Sequence, residues 1–143
     1  MLSKKCFLYS SFVSLEELHI CSNDYVEISS IDSFEHHQIK RVYISKNRLT
    51  EWKSICSLGR LFPRLETLIA SENPLKTFRS DIDEVFRYLT TLSVDHVQIS
   101  DWKDILELTK FPSLNTLRIC SAPLLQVVLS IKTKGLEIID FIF

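Results

Sequence analysis

The 143-residue chain has room for one compact domain, and its 45% hydrophobic content with nine Phe indicates a buried core, not a disordered segment. Seventeen basic and eighteen acidic residues give a net charge of −1, which excludes long-range attraction to nucleic acid or anionic membranes. No apolar stretch reaches the roughly 18 residues that a membrane-spanning helix needs. We therefore expect a soluble cytoplasmic monomer with no nucleic-acid or membrane partner.

The pattern L-x-x-L-x-L-x-x-N-x-L occurs five times, with other apolar residues at some of its positions. The copies begin at Leu15, Ile39, Leu65, Leu89 and Leu114, so successive copies start 24, 26, 24 and 25 residues apart. These intervals lie within the period of roughly 20 to 29 residues that is typical of leucine-rich repeats. The apolar alternation in each copy predicts a short strand with its Leu side chains inward, and five such strands form one parallel sheet.

An Asn closes the pattern in the first three copies, at Asn23, Asn47 and Asn73. Its amide can satisfy backbone groups that the departing chain leaves unpaired, and stacked Asn side chains then form a ladder. Val97 and Ala122 replace the Asn in the fourth and fifth copies. We therefore expect the ladder to weaken toward the C-terminus.

Residues 49–68 and 99–117 carry a second, longer repeat in which Trp52 matches Trp102. Apolar residues at three-residue intervals after each Trp predict a helix on the convex side of the sheet. At this spacing the two tryptophans are expected to pack against the core and not to contact a ligand.

Predicted boundaries for both helices follow from the flanking residues. Thr50 and Ser100 are expected as N-caps, each followed by an acidic residue in the first turn, which a helix N-terminus favours. Pro63 and Pro112 are expected to end the helices because proline cannot continue one. Together the elements predict an α/β leucine-rich repeat solenoid over residues 1–126, followed by a non-repeat tail or cap over 127–143.

The sequences around the two tryptophans resemble those of a known family. The segments Glu-Trp-Lys-Ser-Ile at 51–55 and Asp-Trp-Lys-Asp-Ile at 101–105, with Phe-Pro-Ser-Leu at 111–114 and Ala-Pro-Leu-Leu at 122–125, carry the resemblance. They are similar to the leucine-rich repeat region of tubulin-folding cofactor E and its cofactor E-like relative, over residues 15–126. The resemblance implies a chaperone-related scaffold that binds α-tubulin during assembly and dismantling of the αβ dimer, and that is associated with the cytoskeleton.

Parts of that family have no counterpart in this sequence. Cofactor E carries a CAP-Gly domain before its repeats, and both groups carry a ubiquitin-like domain after them, whereas this chain has room for neither. It therefore looks like a fragment or a shortened form. Two alternatives stay open: a leucine-rich repeat adaptor for an unrelated protein, and a truncated product that lacks full activity.

Binding is expected on the concave face, through residues that alternate with the inward Leu side chains. Interfaces favour Tyr and Arg, and the central column holds both. The predicted contacts are His19, Arg41, Tyr43, Ile69, Ser93, Asp95 and Arg118. An ordinary solvated strand face would carry residues of the same types.

No catalytic constellation is recognisable in the sequence. The nucleotide-binding, nucleophile-elbow and zinc-protease motifs are missing. Glu35, His36 and His37 could present ligands to a metal, but a surface loop explains them better. We predict no catalytic residue, no metal and no cofactor.

Overall fold

Residues 13–29, 35–79, 85–126 and 137–139 are described by the computed structural model of the protein. The strands are β1 (Glu17–His19), β2 (Arg41–Tyr43), β3 (Thr67–Ile69), β4 (Thr91–Ser93), β5 (Thr116–Arg118) and β6 (Glu137–Ile139). The helices are α1 (Trp52–Leu61) and α2 (Trp102–Leu108), and a 3₁₀ turn spans Pro123–Gln126.

All six strands form one parallel sheet in chain order. The register places equivalent residues of successive copies opposite each other, so that Leu18 faces Val42 and Leu92 faces Leu117. A parallel α/β sheet is therefore confirmed, as are the five strand positions and their register.

Strand β6 was not predicted, because it lies within the segment expected to be a non-repeat tail. Its middle residue Ile138 pairs with Leu117 of β5. Counted along the sequence from this pair, Gly135 and Asp140 stand where the pattern of the fifth copy has Leu114 and Ile119. With two of three apolar positions lost, the repeat pattern could not be recognised in the tail.

The core lies under the middle residues of the strands. Val42, Leu68, Leu92 and Leu117 are all fully buried, whereas Leu18 at the sheet edge is only partly buried. Burying one such side chain is worth roughly 1.5 to 3 kcal/mol. The apolar stripe is therefore continuous from one copy to the next, as the pattern predicted.

One residue of each copy adopts a left-handed backbone conformation just after its strand. These residues are Ser22, Lys46, Glu72, His96 and Ser121, with φ between 50° and 57°. In the first four copies the N–H of this residue donates to a carbonyl of the next copy, for example from Lys46 to Ser71 at 3.1 Å. The turn therefore extends the hydrogen bonding between copies, at a conformational cost of about 1 to 2 kcal/mol for a residue with a Cβ.

The helix N-caps lie one residue later than predicted. Glu51 and Asp101 are the N-caps, and the predictions of Thr50 and Ser100 were wrong. Asp101 has an extended backbone, and its Oδ1 accepts a hydrogen bond of 2.8 Å from the backbone N–H of Lys103. A short carboxylate at this position satisfies an unpaired donor of the first turn, whereas the Glu51 side chain makes no such bond.

The helix ends differ between the two copies. Helix α1 ends at Leu61, just before Pro63, as predicted. Helix α2 ends at Leu108, well before Pro112, so proline does not end it. The Thr109 hydroxyl donates to the Leu106 carbonyl at 2.7 Å, and such a local side-chain bond competes with helix continuation.

Trp52 is the centre of an aromatic cluster between α1 and the segments that follow β3 and α2. Its ring centroid lies 4.9 Å from that of Phe78, 6.3 Å from that of Phe86 and 6.5 Å from that of Phe111. The Trp52 side chain is 1% exposed, and Trp102 is partly buried against the same core. Both tryptophans are therefore packing residues, as predicted.

The close approach of α1 to this cluster depends on Gly59. A Cβ at this position would lie 3.0 Å from Phe86 Cδ1 and 3.0 Å from Val85 Cβ. Gly59→Ala gains about 1 kcal/mol of helix propensity, but overpacking costs roughly 1 to 3 kcal/mol. We expect a net loss of stability in urea denaturation, whereas Lys53→Ala on the exposed face of α1 should be nearly neutral. A Gly59→Ala protein more stable than the parent would contradict the packing.

Candidate protein-binding face

The side of the sheet opposite the core is called the strand face here. Its central column contains one residue from each of β1 to β5: His19, Tyr43, Ile69, Ser93 and Arg118. One flanking column contains Glu17, Arg41, Thr67, Thr91 and Thr116. The register thus brings together the residues predicted from the sequence, although successive members lie 24 to 26 residues apart in the chain.

A stacked pair and an ion pair order the β1–β2 corner of the strand face. The His19 and Tyr43 rings stack with centroids 4.2 Å apart and planes 10° from parallel. Arg41 Nε donates to Glu17 Oε1 at 2.6 Å, and Glu17 Oε2 lies 3.3 Å from His19 Nε2. These contacts connect the four side chains to one another across β1 and β2.

The same contacts shift the ionisation of the pair. The hydrogen bond from Arg41, and after it the one from His19, holds the pKa of the Glu17 carboxyl below its ordinary value. The bond to Glu17 raises the pKa of Arg41 in turn. Both side chains are solvent-accessible, so the pair orients the corner more than it stabilises the fold.

We expect the Glu17 carboxyl to titrate below the usual range when followed by carboxyl carbon NMR, and Arg41→Gln to return its midpoint toward that range. Because the pKa of Glu17 is lowered, the pair contributes fully to the free energy of unfolding when the pH is above the unfolded-state pKa. This contribution is lost as the pH falls through the folded-state pKa. Lys46→Gln removes a cation that pairs with Glu72 instead and should leave the midpoint unchanged. A Glu17 midpoint that is the same in the parent and Arg41→Gln would contradict the interaction.

Ser93 and Asp95 form an internal link and do not extend freely into solvent. Ser93 is only 5% exposed, so the expectation that it is an exposed face residue was wrong. Its hydroxyl lies 3.1 Å from Ser71 Oγ and donates to Asp95 Oδ2 at 3.4 Å. Asp95 Oδ1 accepts from the Cys120 backbone N–H at 2.9 Å and from its thiol at 2.8 Å. A short hydroxyl is buried here because polar partners lie on both sides, which single-copy patterns do not reveal.

Ile69 and Arg118 complete the predicted set and differ in their surroundings. Ile69 lies next to Tyr43 and is partly buried, whereas Arg118 is exposed. Its guanidinium makes no hydrogen bond or ion pair with any residue in the described ranges. The accessible part of the strand face is therefore aromatic and aliphatic near β2 and β3, and cationic at β5.

His36 does not lie in a surface loop, contrary to expectation. It is 8% exposed, and its backbone N–H donates to the Leu61 carbonyl at the end of α1 at 2.8 Å. His37 remains exposed, with Nε2 3.3 Å from Glu35 Oε2. Within the part of the chain that the structure describes, no three His, Cys, Asp or Glu side chains converge to hold a metal ion. Over the same residues, no helix has the length and apolarity to cross a membrane.

No protein-family model matches the chain. Curated proteins do: the sequence is 37% identical over 115 residues to the tubulin-specific chaperone cofactor E-like proteins of Rattus norvegicus and Homo sapiens, covering 78% of this chain and 27% of each relative. It is 31% identical over 124 residues to tubulin-specific chaperone E of Xenopus laevis, covering 82% of this chain and 23% of that protein. The chain thus spans about a quarter of the length of the curated relatives it matches.

Proposed function

This chain belongs to the family of tubulin-specific chaperone E and cofactor E-like proteins, and on that premise we propose that it binds a protein of the tubulin pathway, α-tubulin first of all. The observation that carries the partner class is the 37% identity over 115 residues. In this proposal the chain is a non-enzymatic, cytoplasmic, cytoskeleton-associated scaffold and acts as a monomer.

The proposed architecture is a leucine-rich repeat solenoid, with the repeat domain over 1–126 and the tail after it. Its support is the combination of a fixed period, an in-register parallel sheet and helices that return the chain on one side. The apolar rows of the copies join in one continuous core cluster. The strand face then corresponds to the concave surface that such repeats use for binding.

Within this proposal, His19, Arg41, Tyr43, Ile69 and Arg118 contact the partner. A site built on strands with oriented side chains loses little conformational freedom on binding, and aromatic and Arg side chains are frequent interface anchors. The stacked His19 and Tyr43 rings supply the oriented group. Ser93 and Asp95 support the surface from below through their bonds to Ser71 and Cys120.

A binding measurement with purified αβ-tubulin tests the proposal. The immobilised parent chain should retain tubulin, and Tyr43→Ala with Ile69→Ser should weaken retention about tenfold, equivalent to roughly 1.4 kcal/mol. Leu106→Ala is the matched control, because Leu106 is 51% exposed on α2, away from the strand face. Retention no greater than that of an unrelated repeat protein would refute tubulin binding. Capture of a different protein, identified by mass spectrometry, would instead favour the adaptor alternative.

A further inference from the structure

Three cations near β1 and β2, namely Lys40, Arg41 and Lys46, are paired with carboxylates of this chain. Lys40 and Arg41 lie within 4.0 Å of carboxylate oxygens of Glu16, and Arg41 also bonds to Glu17. Beyond β2, Lys46 Nζ lies 3.6 Å from Glu72 Oε1. These three cations therefore offer a partner less unsatisfied charge than an unpaired cation would.

Arg118 differs from those cations. Asp95, the acidic residue just after the neighbouring strand β4, directs Oδ1 to the backbone N–H and thiol of Cys120 and accepts from Ser93 through Oδ2. Among the residues that the structure describes, no carboxylate pairs with Arg118. Strand β5 thus presents an exposed guanidinium whose five N–H donors have no partner among the described side chains.

Covering Arg118 would remove its contact with water. An unpaired charge at an interface is costly, whereas a carboxylate that accepts two parallel hydrogen bonds compensates the guanidinium well. A partner that extends over β5 must therefore bring its own anion to this position. Over Tyr43 and Ile69, by contrast, an apolar or aromatic side chain fits, because these two neighbouring residues are partly exposed and their side chains are largely carbon.

Building on the proposed function, we propose that the strand face binds an extended partner segment carrying an apolar or aromatic residue against Tyr43 and Ile69 and an acidic residue against Arg118. The segment crosses the strands. From β2 to β5 there are three strand spacings, about 14 Å, which an extended chain covers in about four residues. The partner segment is therefore expected to carry an apolar or aromatic residue and an acidic residue about four positions apart, in either order.

Designed peptides test the spacing on the complete chain without reference to tubulin. Ser/Gly peptides with one Trp and one Glu, the Glu placed one to six positions from the Trp on either side, are titrated and followed by NMR signals of Tyr43 and Arg118. We expect the peptide whose Glu lies about four positions from its Trp to bind about fivefold tighter than the same peptide with Gln in place of Glu. Arg118→Gln should abolish this preference, and Arg60→Gln, a change at an exposed residue of α1, should retain it.

The peptide result can overturn the inference in three ways: no peptide perturbs either residue, the Glu preference is independent of position, or it survives Arg118→Gln. A second arm uses αβ-tubulin, for which Arg118→Glu should weaken retention about tenfold and Arg60→Glu should not. Peptide selectivity without tubulin retention would reject the tubulin proposal and support the inference. Tubulin retention that is equal in the two Glu variants would reject the inference and leave tubulin binding in place.

Discussion

Replacing Asn73 by Ala is expected to lower the free energy of unfolding by about 3 to 5 kcal/mol, because several buried backbone groups lose their partner at once. Asn73 is fully buried. Its Nδ2 donates to the carbonyls of Ile44 at 3.1 Å and Ala70 at 3.0 Å, and its Oδ1 accepts from Leu49 N–H at 3.3 Å. Water cannot readily replace an amide that links two copies inside the core.

Asn23 provides the matched control, since it occupies the same position of the pattern at the edge of the sheet. It is exposed, and among the described residues its Nδ2 bonds only to the Cys21 carbonyl, at 2.8 Å. Asn23→Ala is therefore expected to change stability by no more than about 0.5 kcal/mol. Urea denaturation followed by circular dichroism measures both variants. Similar losses in the two variants would show that the buried hydrogen bonds of Asn73 are not what stabilises the turn.

Trp52→Ala is expected to cost about 3 to 5 kcal/mol, the range for removing a large aromatic side chain from a packed core. The substitution removes the central ring of the cluster formed with Phe78, Phe86 and Phe111. It also leaves a cavity that α1 cannot close easily, because Gly59 already lies in contact distance of Phe86.

Trp102→Ala is the corresponding change in the second long copy. Trp102 is only partly buried, so the loss should be about half as large or less. Thermal unfolding at equal concentration compares the two variants, and an NMR spectrum of each checks that the rest of the sheet is retained. Equal destabilisation would mean that the aromatic cluster does not distinguish the two positions.

Strand positions and their register followed from the sequence because two signals coincide. Apolar alternation sets which side chains point inward, and a nearly constant interval sets which residues become neighbours. Val42 and Leu68 therefore pair and are buried as expected. The buried amides of Asn47 and Asn73 also follow, since each lies where the chain leaves a strand.

Features that depend on contacts between copies were not predictable in the same way. Ser93 is buried with Ser71 of the preceding copy and Asp95 of its own copy beside its hydroxyl, and the contact with Ser71 cannot be seen within a single copy. The ladder prediction was also inaccurate at Asn23, which is exposed because β1 pairs on only one side among the described strands. Asp95 links the fourth copy to the fifth by a different bond, in which its Oδ1 accepts from the Cys120 backbone N–H.

The strictly sequential order of the sheet has a mechanical consequence. Each strand that the structure describes is hydrogen-bonded only to the strand before it and the strand after it. Local unfolding of a terminal strand therefore spreads stepwise from one strand to the next. The central strands can stay folded while an end of the sheet unfolds. Resistance to pulling or heating is then set by the weakest pair of adjacent strands among those that the structure describes.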